Sequence, residues 1–513
     1  MNIFRDKKMV MIKRIVQTFF LFMFVYVLWS TTYPLTGMIP TNVFFVSDPH
    51  IMLLTSIAER VLLPGIAVAS VMLLLTFIFG RFFCGWICPL GTLMDITSSF
   101  KKKKIIFQEK FSKIIRKIKY VGLFISFVVA ILGIQIAWIL DPVVLTARFI
   151  SLSFMPTATL LFNELFIFMI RGLGMYGKVY DIYRTLRSSV LGINVHFFDN
   201  TGMIVFFFVT IILSSFFISR IWCKAICPLG AMYGLIAKRS LLARKTTGYI
   251  ECEKCGSVCR MAAIHNSGNS YTKSECILCM DCLYTCQGQY TKFEFRYPFV
   301  RQAKKDHIEA ANPTRSKGLS RKEFFFLILS FFTLTAFRKK NIKLPQNAVI
   351  RPPGALDENE FTDRCVRCGM CMKVCPTNVV QPAMLEAGPE GIWTPKMVFK
   401  IGYCEYNCTL CGQVCPSGAL KKLPLVEKKV TKLGIAAVNK EKCIAWAHNE
   451  ECLVCEEHCP IPNKAIKTDI VNVGGKIIGR PVVDKSMCIG CGICQNKCPI
   501  RPDVAISVKP IRY

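Results

Sequence analysis

The chain has 513 residues, a formal net charge of +32 from 65 Lys+Arg against 33 Asp+Glu, 52% hydrophobic residues, 39 Phe and 27 Cys. That length allows three or four domains. An odd cysteine count in a long chain excludes a small secreted disulfide scaffold, the apolar content excludes disorder, and the two together point to a membrane protein carrying metal-bound thiolates.

Four apolar runs, about 15–30, 61–80, 120–140 and 202–221, approach the ~20 residues of a helical span. Residues 1–250 carry 27 basic and 9 acidic residues, and the basic ones flank these runs. Arg5, Lys7, Lys8, Lys13 and Arg14 precede the first run, ten Lys/Arg fall in 81–119, and none falls in 31–59. This is positive-inside patterning rather than a nucleic-acid surface, and it places both ends of the bundle and the loop after the second run in the cytoplasm. No small-residue cleavage site follows the first run, so it reads as a span, not a removed signal peptide. The apolar stretch 149–170 is interrupted by Pro156, Asn163 and Glu164 and reads as an interfacial helix outside the membrane.

An internal repeat ends two of the runs. Arg81-Phe-Phe-Cys84-Gly-Trp-Ile-Cys88-Pro-Leu-Gly91 parallels Arg220-Ile-Trp-Cys223-Lys-Ala-Ile-Cys227-Pro-Leu-Gly230. Cysteines at i and i+4 share one helical face, and a duplicated helix pair about an axis along the membrane normal would bring four thiols together. They would hold an Fe–S cluster, act as a redox-active thiol set, or stand as buried inert cysteines.

Downstream, the run C-x2-C-x2-C-x3-C-P is the bacterial ferredoxin pattern, in which three thiolates bind one 4Fe–4S cube and the fourth binds its neighbour. Cys365, Cys368, Cys371 and Cys375 fit it, as do Cys488, Cys491, Cys494 and Cys498. Cys276, Cys279, Cys282 and Cys286 fit the spacing with Gln287 in place of Pro. Two motifs are stretched at the first gap: Cys404, Cys408, Cys411, Cys415 and Cys443, Cys452, Cys455, Cys459. Zinc is the alternative, but it usually takes isolated C-x2-C pairs. Cys252, Cys255 and Cys259 form a three-thiol motif with Tyr249 where a first Cys would stand. Cross-ligation groups Cys259 with Cys276, Cys279 and Cys282, and leaves Cys252, Cys255 and Cys286 one ligand short: a 3Fe–4S centre, a non-Cys ligand or a lost cluster. In the C-terminal part, the expected pairing joins the regular outer motifs to each other and the stretched inner motifs to each other.

The fold class expected is therefore a membrane α-helical bundle of four spans, with a fifth short anchor as an option, plus α+β ferredoxin-like Fe–S domains. The divisions are 1–247 (membrane), 248–300 (cytoplasmic dicluster-type segment), 301–345 (basic linker and short apolar segment) and 346–513 (four clusters). Cofactors expected are four 4Fe–4S clusters in 346–513, one or two in 248–300, and one as an option at Cys84, Cys88, Cys223 and Cys227.

The membrane half resembles the NapH type of polyferredoxin, with related modules in MauN, NosR and CcoG. The segments Gly388–Pro395 and Cys404–Pro416 resemble the MauM/NapG type of four-cluster ferredoxin. The resemblance implies a natural fusion of the two, passing electrons from the quinol pool to a terminal reductase or cytochrome outside the cytoplasmic (inner) membrane. Ser320-Arg321-Lys322-Glu323-Phe324-Phe325 is similar to the twin-arginine export signal found in the NapG type. The apolar run after it, 324–337, has 14 residues, about 21 Å against a ~30 Å core. It reads as a retained anchor with an extracytoplasmic C-terminal domain; the other reading is an interfacial helix with that domain inside.

No haem C-x-x-C-H, dinucleotide fingerprint or P-loop is present, so the chain reads as an electron-transfer subunit that leaves the terminal reaction to a partner. A redox maturation factor and a regulator are the alternative roles. A quinol site needs a buried proton acceptor. Glu59 and Asp141 are the candidates, while Arg60, Arg148, His50 and His196 read as loop, interfacial or solvated residues.

Overall fold

The computed structural model describes residues 7–35, 37–100, 109–187, 196–246, 254–265, 270–285, 291–295 and 349–511. Lys101–Lys104, Tyr249, Cys252, Cys286, the twin-arginine-like segment and the apolar run 324–337 lie outside them.

The apolar runs of the N-terminal half are helical, with bounds that differ from the hydropathy pattern. The first is helix Lys7–Ser30, the second Ile66–Phe79, the third Glu109–Ile131 and the fourth Gly202–Phe217. Two helices among the described residues are long and apolar enough to cross a membrane, Lys8–Ser30 and Pro142–Gly172. Helices Ile66–Phe79 and Gly202–Phe217, at 14 and 16 residues, are shorter than the runs that suggested them. Gly80 (φ +85°) stops one of them, and the other ends at extended Ile218.

The stretch 149–170 is helical, as expected, and belongs to one continuous helix, Pro142–Gly172. Pro156 is tolerated because a π-turn, Ile150–Phe154, has already relaxed the hydrogen-bond ladder before it. Asn163 is buried and within 3.4 Å of the Tyr183 hydroxyl. Rows of large apolar side chains stay uncovered on these helices, among them Phe19, Phe22, Leu74, Leu161, Phe206 and Leu213.

The repeated motif does not lie on one continuous helical turn. Cys84 sits in the short helix Phe82–Trp86, and Cys88 caps the next helix, Pro89–Ser99. The second copy repeats this: Cys223 in Ile221–Ala225, and Cys227 capping Pro228–Ala237. The proline after each cap forces the break and starts the new helix at its first position. The two copies interlock as a duplicated pair should. A Cβ on Gly230 would stand 2.8 Å from Arg81 Nη2, and one on Gly91 would stand 3.2 Å from Arg220 Nη1.

A buried ion network joins the copies to the segment 254–285. Arg220 donates to Asp95 Oδ1 (2.7 Å) and Oδ2 (2.8 Å) and to the Cys84 carbonyl (2.6 Å). Lys13, Gln17 and Arg260 meet the same carboxylate. Arg81 donates to Glu275 Oε2 at 3.1 Å and to the Ser274 carbonyl, and Lys119 adds a second cation on Glu275. Gly85 lets the Ile277 carbonyl approach to 2.0 Å from where a Cβ would stand. Strands Leu242–Thr246 and Thr291–Phe295 pair antiparallel beside this interface.

Residues 349–511 form two similar units. The isolated bridge Ala355–Leu420 closes the first. Strands Ile435–Val438 and Ile506–Lys509 close the second, and a long hairpin, Ile466–Val473 with Lys476–Val483, projects from it. This domain packs on the end of the bundle away from the repeated cysteines. Arg364 donates to Glu59 Oε2 (2.9 Å) and Arg148 to the Arg367 carbonyl (2.9 Å). Asn378 and Gln381 both donate to the Phe197 carbonyl.

The network predicts the effect of removing its central anion. Asp95→Ala leaves Arg220 and Lys13 buried without their counter-charge and Arg260 with Asp281 alone, at a cost of about 3–5 kcal/mol. The expected result is a lower unfolding temperature in detergent and faster proteolysis of the 254–285 segment. Replacing exposed Asp469 with Ala should leave both unchanged.

Candidate metal centres

Each of the four C-terminal motifs builds a tight loop followed by a short helix that carries the third cysteine, and the fourth stands at or just past the end of that helix. Glycine supplies the turn where φ must be positive, as at Gly369 (+82°) and Gly492 (+77°). The resulting cavities are lined by sulfur and mostly apolar side chains. Cys365, Cys368 and Cys371 share one with Cys415. Cys404, Cys408 and Cys411 lie within electrostatic reach of Cys375. Cys488, Cys491 and Cys494 share a cavity with Cys459, and Cys443, Cys452 and Cys455 share one with Cys498.

This grouping corrects the expected pairing of outer with outer and inner with inner motifs. Consecutive motifs exchange their fourth cysteines instead, because the closures Ala355–Leu420 and Ile435–Val438 with Ile506–Lys509 bracket neighbours in sequence. The stretched gaps are absorbed locally, one of them by a π-turn at Ile444–His448.

The four groups form a row. Cys371 neighbours Cys411, Cys404 neighbours Cys491, and Cys494 neighbours Cys455. The Cys404 amide donates to the Cys491 carbonyl at 2.8 Å, which joins the two units. The row begins at the bundle. Arg148, fully buried, lies over the rings of Trp138 (5.2 Å) and Trp393 (4.5 Å) and within electrostatic reach of Cys365 and Cys368. It ends at the group of Cys443 and Cys498, near Trp446 with Lys440 4.0 Å above its ring.

At the other end of the bundle, Cys259, Cys276, Cys279 and Cys282 line a further cavity. Cys255 is buried beside them, whereas its expected companions Cys252 and Cys286 lie outside the described residues. The Trp86 indole donates to the Leu278 carbonyl at 3.0 Å, which seats this group on the helix of Cys84. Cys84, Cys88, Cys223 and Cys227 are all buried and within electrostatic reach of one another. The Cys88 and Cys227 sulfurs accept from the Gly91 and Gly230 amides at 3.5 and 3.2 Å.

The donor sets fit iron–sulfur clusters. Soft thiolates in a dry cavity, with backbone N–H groups aimed at sulfur, are the protein's means of holding a cluster and setting its potential. Such amides reach Cys259, Cys415 and Cys488. Burial pushes the Cys276 and Cys491 thiols up to about 11 and those of Cys404 and Cys455 up to about 12. Without iron these groups stay protonated at neutral pH, and cluster binding displaces the protons.

The two quinol-site candidates have definite roles. Glu59 is held in the ion pair with Arg364 of the C-terminal domain. Asp141 caps a helix and meets His50 Nδ1 at 3.3 Å. Two residues expected in loops or at the interface are placed differently, and a third, His196, keeps its loop. His50 and Arg148 are fully buried, and His196 bonds the Cys375 carbonyl at 2.8 Å. His50 stands in the first turn of the helix that Asp48 caps, a cap signal that the sequence carries. Arg60 is exposed.

The ligand sets can be tested one cysteine at a time. Cys375→Ser is expected to disturb the centre of Cys404, Cys408 and Cys411 while sparing that of Cys365, Cys368 and Cys371; Cys415→Ser should do the reverse. Redox titration followed by EPR reads which reduced signal changes. The same signal altered by both variants would contradict the exchange.

Comparison with known proteins agrees with these donor sets. Residues 61–119 and 200–247, which hold the two repeated motifs, match a 4Fe-4S binding domain family. Residues 364–419 match a 4Fe-4S dicluster domain, the stretch whose motifs pair here, and 481–501 match a second 4Fe-4S binding domain. The methylamine utilization ferredoxin-type protein MauM of Methylorubrum extorquens is 35% identical over 187 residues, 36% of this chain and 81% of that protein. MauM of Methylophilus methylotrophus is 33% identical over 208 residues, 39% and 89%. The ferredoxin-type protein NapG of Escherichia coli is 34% identical over 168 residues, 32% and 71%. No solved structure matches. The chain binds multiple 4Fe–4S clusters through its cysteine motifs and belongs, over that part of its length, to the MauM/NapG family of ferredoxin-type electron-transfer proteins.

Proposed function

We propose that this chain is a multi-pass iron–sulfur relay of the cytoplasmic membrane, a NapH-type membrane part joined to a MauM/NapG-type ferredoxin. It takes electrons from the quinol pool, or from a cytoplasmic donor, and delivers them to an extracytoplasmic reductase or cytochrome. The ligands are the cysteines grouped above, with Cys84, Cys88, Cys223 and Cys227 as a membrane-end set and Cys252, Cys255 and Cys286 as the remaining set of the 248–300 segment.

One observation carries this reading: the two groups of cysteine cavities sit at opposite ends of the same apolar bundle. Helices Ile66–Phe79 and Gly202–Phe217 both run from the end that docks the C-terminal domain to the end that carries the repeated motif. Uncovered apolar rows on these helices suit lipid. Basic residues cluster toward the motif end, which is the cytoplasmic side by the positive-inside rule.

The 4Fe–4S clusters supply one-electron transfer when bound. The protein's own work is to bury the thiols, aim amides at them and seat the row of centres on the bundle. Arg148, Trp138 and Trp393 fill the join between the bundle and the first centre. The Glu59–Arg364 pair fixes the same join.

Two measurements test the reading. A C-terminal tag in spheroplasts should be removed by external protease, and a tag that survives while an outer-loop control is cut would overturn the topology. In membranes, a reduced quinone analogue should produce the EPR signals of reduced clusters. Their absence, with full reduction by a cytoplasmic donor, would assign the opposite source of electrons.

A further inference from the structure

Between the repeated motif and the docked C-terminal domain, the bundle holds a group of metal-ligating residues without sulfur. Asp48, His50 and Asp141 are fully buried, and one ligand atom from each lies within 4.8 Å of the others. The two aspartates are structural counterparts. Each precedes a proline and caps the helix that follows, Pro49–Glu59 in one case and Pro142–Phe149 in the other.

Each carboxylate is half used. Asp48 Oδ1 accepts from the His50 and Ile51 amides at 2.9 and 3.2 Å. Asp141 Oδ1 accepts from the Val143 and Val144 amides at 2.9 and 3.1 Å. The remaining oxygens turn toward the shared space. Asp141 Oδ2 stands 3.3 Å from His50 Nδ1. Among the described residues no donor reaches Asp48 Oδ2, and His50 Nε2 has no partner.

Two facing carboxylates fully removed from water need compensating charge. Arg148 is within electrostatic reach of Asp141 and its Nη2 has no partner among the described residues, while its Nε donates to the Arg367 carbonyl and its face lies over two tryptophans; it offers one positive charge for two carboxylates. A proton shared between the carboxylates would neutralise one charge and leave the other. A divalent cation neutralises both and uses the oxygens and the imidazole as ligands. The helix-cap amides then act as the outer shell that orients each carboxylate.

We propose that Asp48, His50 and Asp141 bind one divalent transition-metal ion of the zinc, manganese or ferrous class, separate from every cysteine site. Two carboxylate oxygens and an imidazole nitrogen suit these ions. The ion would clasp the two Asp-capped helices together beneath the join with the C-terminal domain. This assignment does not depend on the direction of electron flow or on quinol as donor.

The test uses the full-length holoprotein, purified anaerobically, incubated with equimolar Zn2+ and desalted. Elemental analysis should find one non-cluster divalent ion per chain, with Mössbauer spectroscopy separating a mononuclear ferrous ion from cluster iron. His50→Gln and the double variant Asp48→Asn/Asp141→Asn should lose that ion, with cluster iron and labile sulfide unchanged. X-ray absorption at the zinc edge of the wild-type protein should show oxygen and nitrogen neighbours at about 2.0–2.2 Å. A wild-type protein without the extra ion, variants that retain it, or a sulfur shell at about 2.3 Å would each overturn the site. An infrared band from a protonated carboxylic acid, lost in Asp48→Asn, would put a shared proton in its place.

Discussion

The buried pairing of arginines with carboxylates at the motif end is the constraint on which the rest of the structure depends. Arg81 and Arg220 each open a copy of the repeated motif, and each is fully buried. Neither could stay there unpaired, since a lone buried charge costs several kcal/mol. Arg220 takes Asp95 from the helix following the other copy, and Arg81 takes Glu275 from the 254–285 segment. The same two ion pairs therefore draw the four motif cysteines together and seat the nearby ferredoxin loop upon them.

The opposite end of the bundle solves a different problem. There the fit is made by aromatic and guanidinium faces, with Arg148 and Arg367 stacked against Trp138 and Trp393. Flat, weakly hydrated groups can be buried at an interface at lower cost than ammonium groups. One ion pair, Glu59 with Arg364, fixes the orientation. The row of cysteine centres begins at this join, so its strength decides whether the row remains continuous with the bundle.

The row owes its order to exchange of the fourth cysteine between consecutive motifs. Each exchange ties two neighbouring cysteine groups together, and the Cys404–Cys491 backbone bond links the two units. A relay of this kind depends less on any one side chain than on the closures that keep neighbouring motifs face to face. The bridge at Ala355 and Leu420 and the strands ending at Val438 and Lys509 are those closures.

What was legible in the sequence was local. The C-x2-C-x2-C loops and the repeated C-x3-C-P-L-G rest on spacing over a few residues, where steric limits on a short loop leave little choice, and the sharing of a centre by Cys259 with Cys276 through Cys282 follows from the exchange pattern of adjacent motifs. The partners of Cys375, Cys415, Cys459 and Cys498 were not legible. The gap length that separates regular from stretched motifs does not say which loops meet; only the strand closures decide that. Nor could composition show that Pro156 would be carried by a π-turn inside a long helix. Burial of His50 and Arg148 likewise depended on groups far away in the chain, Asp141 in one case and Arg367 with Trp393 in the other. Short-range geometry is written in residue order, whereas charge compensation in a buried site belongs to the packed assembly and is settled only when distant segments arrive.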